Sequence, residues 1–319
     1  MHARWISLVA VAMLTLLLPA SAPVGRASRA AGVAVAPAWS PSPSTAPPVA
    51  PPPASAVLVG AGDIASCTSA GDSATARLLD GIGGTVYTLG DNAYPDGTAK
   101  NFARCYGPTW GRHRARTRPA IGNHEYQAAG GRAYFRYFGP AAGDSPKGYY
   151  SYDIGAWHVV VVNSNCGEVG GCGAGSAQEQ WVRRDLAAST RTCTLAYWHH
   201  PRFTSGREHD DATEMRPIWQ ALYDHGAEIV LSGHNHHYER FAPQTPTGIT
   251  DTARGIRQFV VGTGGASHYG FAEAKPNSEV RNATAFGVLK LTLDRNGYAW
   301  RFVPVPGQTF TDAGTGNCH

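Results

Sequence analysis

The chain carries little charge, and what it has is nearly balanced. Charged residues make up 16% of its 319 positions, with 27 Lys+Arg against 23 Asp+Glu. Three of the cations, Arg4, Arg26 and Arg29, precede residue 57, where no acid occurs, leaving 24 against 23 beyond it. A nucleic-acid footprint needs a strong basic excess, so nucleic acid is not expected as the main partner. The six cysteines contain no Cys-x-x-Cys spacing, which argues against a thiolate-ligated metal cluster. Gly-x-Ser-x-Gly is missing too, and with it the usual serine-hydrolase elbow. No internal repeat is present, so a solenoid is excluded.

The N-terminus lacks what an anchor needs. The apolar run Trp5 to Leu18 is too short to span a bilayer comfortably, and no stop-transfer flank follows it. Arg4 before the run and Ala20-Ser21-Ala22 after it have the layout of a secretory signal. A second cleavage position lies near Ala30, and no Cys is at hand to take a lipid. Residues 1–30 are therefore expected to be a signal peptide, the mature protein secreted or extracytoplasmic without a stable membrane anchor. Residues 31–56 are almost all Ala, Pro, Ser and Val, a composition that cannot build a core and favours an extended tether. The 263 residues 57–319 suit one large α/β domain. All six cysteines fall there, and an even count in an exported chain suggests disulfides. Cys166 with Cys172 would close a Gly-rich loop, Cys67 with Cys105 would join two loops, and Cys193 with Cys318 would pin the C-terminus; other pairings stay open.

What is present is a series of apolar strands that stop abruptly at polar residues. Val57 to Ala61 runs into Gly62-Asp63, and Val86 to Leu89 into Gly90-Asp91-Asn92-Ala93-Tyr94. Pro119-Ala120-Ile121 precedes Gly122-Asn123-His124-Glu125, and Thr194 to Trp198 precedes His199-His200-Pro201. Ala227 to Leu231 ends at Ser232-Gly233-His234-Asn235-His236-His237. Helices are expected over 73–79, 101–110, 176–188 and 215–223, a hairpin about Gly155, and another at Arg295-Asn296-Gly297. Strands alternating with helices imply a largely parallel or mixed sheet. In such sheets binding sites gather at the carboxyl ends of the strands, so the five stops can converge. Singly, each Asp or Asn is an ordinary turn residue and each His a core histidine. Together they offer carboxylate, amide, phenolate and imidazole donors, a set suited to hard or borderline ions.

The ordered motifs Gly-Asp, Gly-Asp-x-x-Tyr, Gly-Asn-His-Glu, His-x-Pro and Gly-His-x-His resemble those of the calcineurin-like metallophosphoesterases, specifically the purple acid phosphatase branch. The resemblance covers nearly all of 57–240 and implies a four-layer α/β/β/α sandwich with two central mixed sheets around a two-metal site. It assigns the first metal to Asp63, Asp91, Tyr94 and His236, and the second to Asp91, Asn123, His199 and His234, with Asp91 bridging. It implies a ferric first ion and iron, zinc or manganese as the second. Ala65 stands where relatives lacking the tyrosine place a histidine ligand, and a phenolate from Tyr94 replaces it. By the same resemblance a metal-held hydroxide attacks the phosphorus of a small phosphate ester, His124 contacts phosphate and protonates the leaving oxygen, and His209 faces the substrate. The expected activity is an acid phosphatase acting on monoesters, with a phosphodiesterase or nucleotidase on the same scaffold as the rival. A rival of another class is an exported binding protein whose metals only staple loops. Among neighbouring residues, His200 and His237 are expected to point away by alternation, and Gly262-Thr263-Gly264-Gly265 to be a structural turn. Tyr238-Glu239-Arg240 is a candidate outer support for the site.

Overall fold

The structure is a computed structural model that describes residues 55–319. The expected signal peptide and the expected tether up to residue 54 lie outside the described residues. The tether's last two residues, Ser55 and Ala56, open the first strand and pair with Asp294 and Leu293.

Thirteen strands make two mixed sheets among the described residues. In the first, β1 (Ser55–Ala61), β2 (Thr85–Leu89) and β3 (Thr117–Ala120) run parallel. β3 is an edge strand, where Pro119 can do without an N–H to donate. The second sheet takes β4 (Tyr150–Ile154), β5 (Trp157–Val161), β6 (Cys193–Tyr197), β7 (Ile229–Ser232), β8 (Tyr238–Phe241), β9 (Arg257–Val261) and β10 (Ser278–Asn282). Its centre, β5, β6, β7 and β9, is parallel. The chain then returns to the first sheet, laying β11 (Gly287–Asp294) antiparallel on β1, followed by β12 (Gly297–Pro304) and β13 (Ala313–Asn317).

Period-two alternation explains how the layers stack. Val159, Val161, Leu195, Tyr197, Ile229 and Leu231 join Leu58, Leu289 and Leu291 of the first sheet in one core. Their neighbours Val160, Val162, Ala196, Trp198 and Val230 turn to the other face, against the helices Ala177–Ala188 and Arg216–Asp224. The helix Gly71–Gly81 contributes Ala76 and Leu79 to the first core. The result is the expected α/β four-layer sandwich.

Several elements depart from expectation. The helix expected over 101–110 breaks up: one α-turn at Ala99–Asn101, a π-helical turn at Phe102–Tyr106, then 3-10 turns at Trp110–Arg116. Pro108 ends the run, because it has no N–H to donate to the preceding turn, although Gly107 before it keeps helical backbone. The short helix Arg132–Phe138 carries the aromatic cluster of Tyr134, Tyr137 and Phe138 onto Phe102 and Tyr106. Ser176 caps the helix Ala177–Ala188 by accepting from Glu179 N–H, but the Glu179 carboxylate reaches back to Gly175 N–H rather than to Ser176. Three disulfides, Cys67–Cys105, Cys166–Cys172 and Cys193–Cys318, are the pairs expected from the sequence.

Candidate metal centre

The strand ends of both sheets deliver their polar residues to one place. Asp63 follows β1, Asp91 and Tyr94 follow β2, Asn123 follows β3, His199 follows β6, and His234 and His236 follow β7. Asp63, Asp91 and His234 all take positive φ, at 58°, 47° and 69°. Such backbone costs about 1–3 kcal/mol per non-glycine residue and concentrates at functional sites. Close approach also dictates the glycines beside them. A Cβ on Gly122 would lie 2.1 Å from Asp91 Oδ1, and one on Gly90 would lie 2.5 Å from His199 Nδ1.

Two groups of donor atoms meet at Asp91. On one side the Tyr94 hydroxyl oxygen lies 3.0 Å from Asp63 Oδ1, from Asp91 Oδ2 and from His236 Nε2. His236 Nε2 is 3.4 Å from Asp63 Oδ1. On the other side His199 Nε2 lies 3.0 Å from Asn123 Oδ1, 3.1 Å from His234 Nδ1 and 3.3 Å from Asp91 Oδ2. Donors held about 2.1 Å from one ion at right angles sit about 3.0 Å apart, so both groups have the spacing of a coordination shell. His199 donates its Nδ1–H to the Leu89 carbonyl at 2.7 Å, which turns the Nε2 lone pair toward the other donors. The sites fit cations on chemistry as well as distance: the converging atoms are nearly all acceptors, and among the described residues neither Asp63 nor Asp91 has a Lys or Arg partner.

The electrostatics carry the same message. Burial opposes ionisation of Asp91, but the His199 and His124 imidazoles outweigh it and hold the carboxyl well below its usual range. Burial likewise opposes charge on His199, yet the Asp91 carboxylate raises it to about 9. His234 is pushed far down by burial, with the His199 charge adding to it. Tyr94 is pushed well up by burial and by the two carboxylates. A proton on His199 substitutes for positive charge the cluster lacks; a bound cation would reverse this logic, making neutral imidazole and phenolate the favoured forms.

His124 and His209 stand at the rim. His124 N–H donates to Asp91 Oδ1 at 3.0 Å, and its Nε2 is 3.7 Å from Asp91 Oδ2. Its ring lines a cavity of about 400 Å³ with Tyr94, His236 and Tyr269. The His209 ring stacks on His234 with centroids 3.9 Å apart. All nine sequence-predicted residues thus lie in or beside the cluster. His234 and His236 do not share one extended face, because positive φ at His234 separates them into the two donor groups.

Two neighbours correct or refine the sequence reading. His237 turns away, onto Phe271 and toward Glu239 Oε2 at 3.4 Å. His200 does not: its ring lies 4.3 Å from His234, and its Nδ1 bonds Ser164 Oγ at 2.8 Å. β6 ends at Tyr197, so strand alternation no longer governs position 200. Tyr238 and Arg240 bind Asp312 rather than the donors, at 2.7 Å each. Glu125 was given no role from sequence, yet its fully buried carboxylate accepts from Asn92 N–H at 2.7 Å and Gly122 N–H at 2.8 Å. It ties the Asp91 loop to the Asn123 loop. Its position at the fourth residue of Gly-Asn-His-Glu, opening a one-turn helix, was the available signal.

Known proteins place this arrangement. A profile described as calcineurin-like phosphoesterase matches residues 57–238. An uncharacterised protein of Mycobacterium tuberculosis is 26% identical over 230 residues, covering 61% of this chain and 44% of the relative. Purple acid phosphatase 15 of Arabidopsis thaliana is 29% identical over 131 residues, covering 37% of this chain and 24% of the relative. The chain therefore spans less than half the length of these curated relatives. Among solved structures, the purple acid phosphatase PPD1 from yellow lupin (Lupinus luteus) superposes with a TM-score of 0.67 at 21% identity, over 82% of this chain and 53% of its own. GAP50 of Plasmodium, titled the anchor in the inner membrane complex, gives 0.63 at 12% identity, over 83% and 90%. These two likenesses are of fold. With the profile spanning more than half the chain and its strand-end motifs gathered at one centre, the protein belongs to the calcineurin-like phosphoesterase family.

Proposed function

We propose that this protein is an exported, two-metal phosphohydrolase that acts as an acid phosphatase on small phosphate monoesters. The observation that carries the reading is Asp91 Oδ2, which lies 3.0 Å from Tyr94 and 3.3 Å from His199 and so belongs to both donor groups. One ion would be held by Asp63, Asp91, Tyr94 and His236, the other by Asp91, Asn123, His199 and His234. Tyr94 points to a ferric first ion, with iron, zinc or manganese beside it. Bound there, paired cations acidify a water and offset the charge of an in-line phosphoryl displacement.

The chain's own residues do the rest. Asp91 fixes the separation of the two sites, and Glu125 fixes the loops that carry Asp91 and Asn123. The Pro95 carbonyl accepts from His124 Nδ1–H, which aims Nε2 at the donor cluster. Nε2 of His124 would there serve as the acid that donates to the leaving oxygen. His209, held by its stack on His234 and edge-on to Tyr269 with centroids 5.7 Å apart, would orient phosphate. Export accords with the three disulfides, which persist in oxidising compartments. Among the described residues no helix is long and apolar enough to cross a membrane.

The rival from another class, a binding protein with metal-stapled loops, gains weight from the fold shared with an anchor protein. Against it stand His124 and His209, rim imidazoles that a closed structural site does not need. The deciding assay measures release of nitrophenol from a nitrophenyl phosphate monoester and the matching diester, with Asp91→Asn beside the native chain. Monoester turnover abolished in the variant supports the proposal. Faster diester turnover makes it a phosphodiesterase, and turnover of neither by metal-loaded protein leaves the binding reading.

A further inference from the structure

One segment outside the five strand-end motifs reaches the donors from behind. β9 ends at Val261, and the Gly-rich turn after it packs directly under the Asp63 loop: Gly264 N–H donates to Gly62 O at 2.9 Å, and Ala266 N–H to Asp63 O at 3.0 Å. The glycines are needed for that approach, since a Cβ on Gly264 would lie 2.4 Å from the Gly62 carbonyl oxygen. The turn then delivers three contacts to His236. Ser267 Oγ lies 2.7 Å from His236 Nδ1. Tyr269 N–H donates to the His236 carbonyl at 3.0 Å. The Tyr269 ring lies flat on the imidazole, with centroids 3.9 Å apart and planes 9° from parallel.

Asp63 and His236 belong to the same donor group, the one completed by Tyr94. His236 Nε2 faces Asp63 and Tyr94, so it must carry the lone pair if it is to coordinate, and Nδ1 must then carry the hydrogen. Ser267 Oγ is the acceptor placed to receive that hydrogen, and so to select the tautomer. In the other donor group, His199 has the same service from a main-chain carbonyl, Leu89 O, which no substitution removes. The two half-sites thus differ in how their histidines are held.

We propose that Ser267 and Tyr269 are positioning residues for the Tyr94-side ion: Ser267 sets the tautomer of His236, and Tyr269 fixes its ring plane. The inference rests on the two-ion reading above. It concerns one half-site only, which makes it testable apart from turnover. Ser267 is exposed and Tyr269 partly exposed, so variants there should fold.

The test is calorimetric titration of chelator-stripped full-length protein with zinc, comparing the native chain with Ser267→Ala, Ser267→Thr, Tyr269→Ala and Tyr94→Phe. Outer partners of ligating histidines typically govern about 10–100-fold in metal affinity. The native chain should bind two equivalents. Ser267→Ala should weaken one of them about 10-fold or more and leave the other unchanged, and Ser267→Thr should restore it. Tyr94→Phe should weaken the same equivalent, which identifies it, and Tyr269→Ala should do so to a smaller degree. Native affinity for both equivalents in Ser267→Ala overturns the inference, as does equal weakening of both. If the native chain itself fails to bind two equivalents, the two-ion reading falls and takes this inference with it.

Discussion

At His158 a buried imidazole lies between two carboxylates, with Nδ1 2.9 Å from Asp153 Oδ1 and Nε2 2.8 Å from Asp185 Oδ2. Arg191 Nε donates to the far oxygen of Asp153 at 2.9 Å, and Ser151 to that of Asp185 at 2.7 Å. Every polar atom there meets a complement, and one proton on His158 completes the set. At Asp91 the ingredients are the same and the outcome is opposite. His199 Nε2 and His234 Nδ1 stand 3.1 Å apart, beside a carbonyl oxygen and a carboxylate, with few hydrogens to share. The first cluster is closed by its own charges and ties strand to helix. The second is unfavourable as it stands and becomes favourable when cations enter. Buried polar networks stabilise only when fully satisfied, so the incomplete one is where function is to be sought.

The comparison breaks most visibly at Asp91. Asp91→Asn removes the charge both donor groups share, and we expect turnover of a nitrophenyl monoester to fall about 10³-fold or more, about 4 kcal/mol of barrier. The corresponding loss for His158→Gln should be negligible. Turnover within about 10-fold of native in Asp91→Asn would mean that the open cluster is not the reaction centre.

Removing metal should separate the clusters next. A ligand present at about 100–1,000 times its dissociation constant stabilises the folded state by about 2.7–4.1 kcal/mol. Chelation should therefore lower the melting temperature by several degrees and readdition of zinc or iron should restore it. The same chelator should leave the difference between His158→Gln and the native chain unchanged. A melting temperature indifferent to chelation would show the Asp91 cluster to be satisfied without cations.

Glu125 offers a smaller effect, from a carboxylate completed by backbone donors. Its replacement by Gln keeps the volume but turns an NH₂ toward N–H groups now served by carboxylate oxygens. An unsatisfied buried donor costs about 1–3 kcal/mol. The expected result is that much loss in denaturant titration, with weaker retention of metal because two ligand-bearing loops are released together. Unchanged stability and metal content would remove Glu125 from the account of the site.

These cases also show what a sequence reveals. The strand-end donors were legible because their chemistry fixes both residue type and place: an apolar run, a glycine where chains approach, then a metal-type donor. The parallel side of the first sheet and the parallel centre of the second followed from the same runs. Glu125 was visible as a letter of a motif but not as a tie, since its partner Asn92 lies 33 residues away. Ser267 was not legible at all; it is an ordinary residue in a Gly-rich turn until folding brings it to His236. β13, Ala-Gly-Thr-Gly-Asn, has no strand propensity and is held by pairing with β12 and by Cys318 in its disulfide. Non-local contact decides such cases, and local pattern cannot carry it.

The smallest effect has the sharpest pH signature. Burial disfavours the His158 imidazolium, but the hydrogen bonds it donates to Asp185 and Asp153 outweigh it and raise its pKa above the ordinary value. A folded-state pKa above the unfolded one means the folded state holds the proton more tightly, so stability from this brace is complete below the unfolded value of about 6.5 and is lost as pH climbs through the raised value. Asp153 is 42% exposed, which screens its half of the pair. His158→Gln should therefore cost only about 1–2 kcal/mol at about pH 5, and the difference from the native chain should shrink toward alkaline pH. Denaturant midpoints of both chains across that range measure it. A deficit that stays constant with pH would reduce His158 to packing, and one that grows with pH would reverse the assignment of charge. Either result would remove the contrast with Asp91, because it requires that one cluster be completed by a proton of its own.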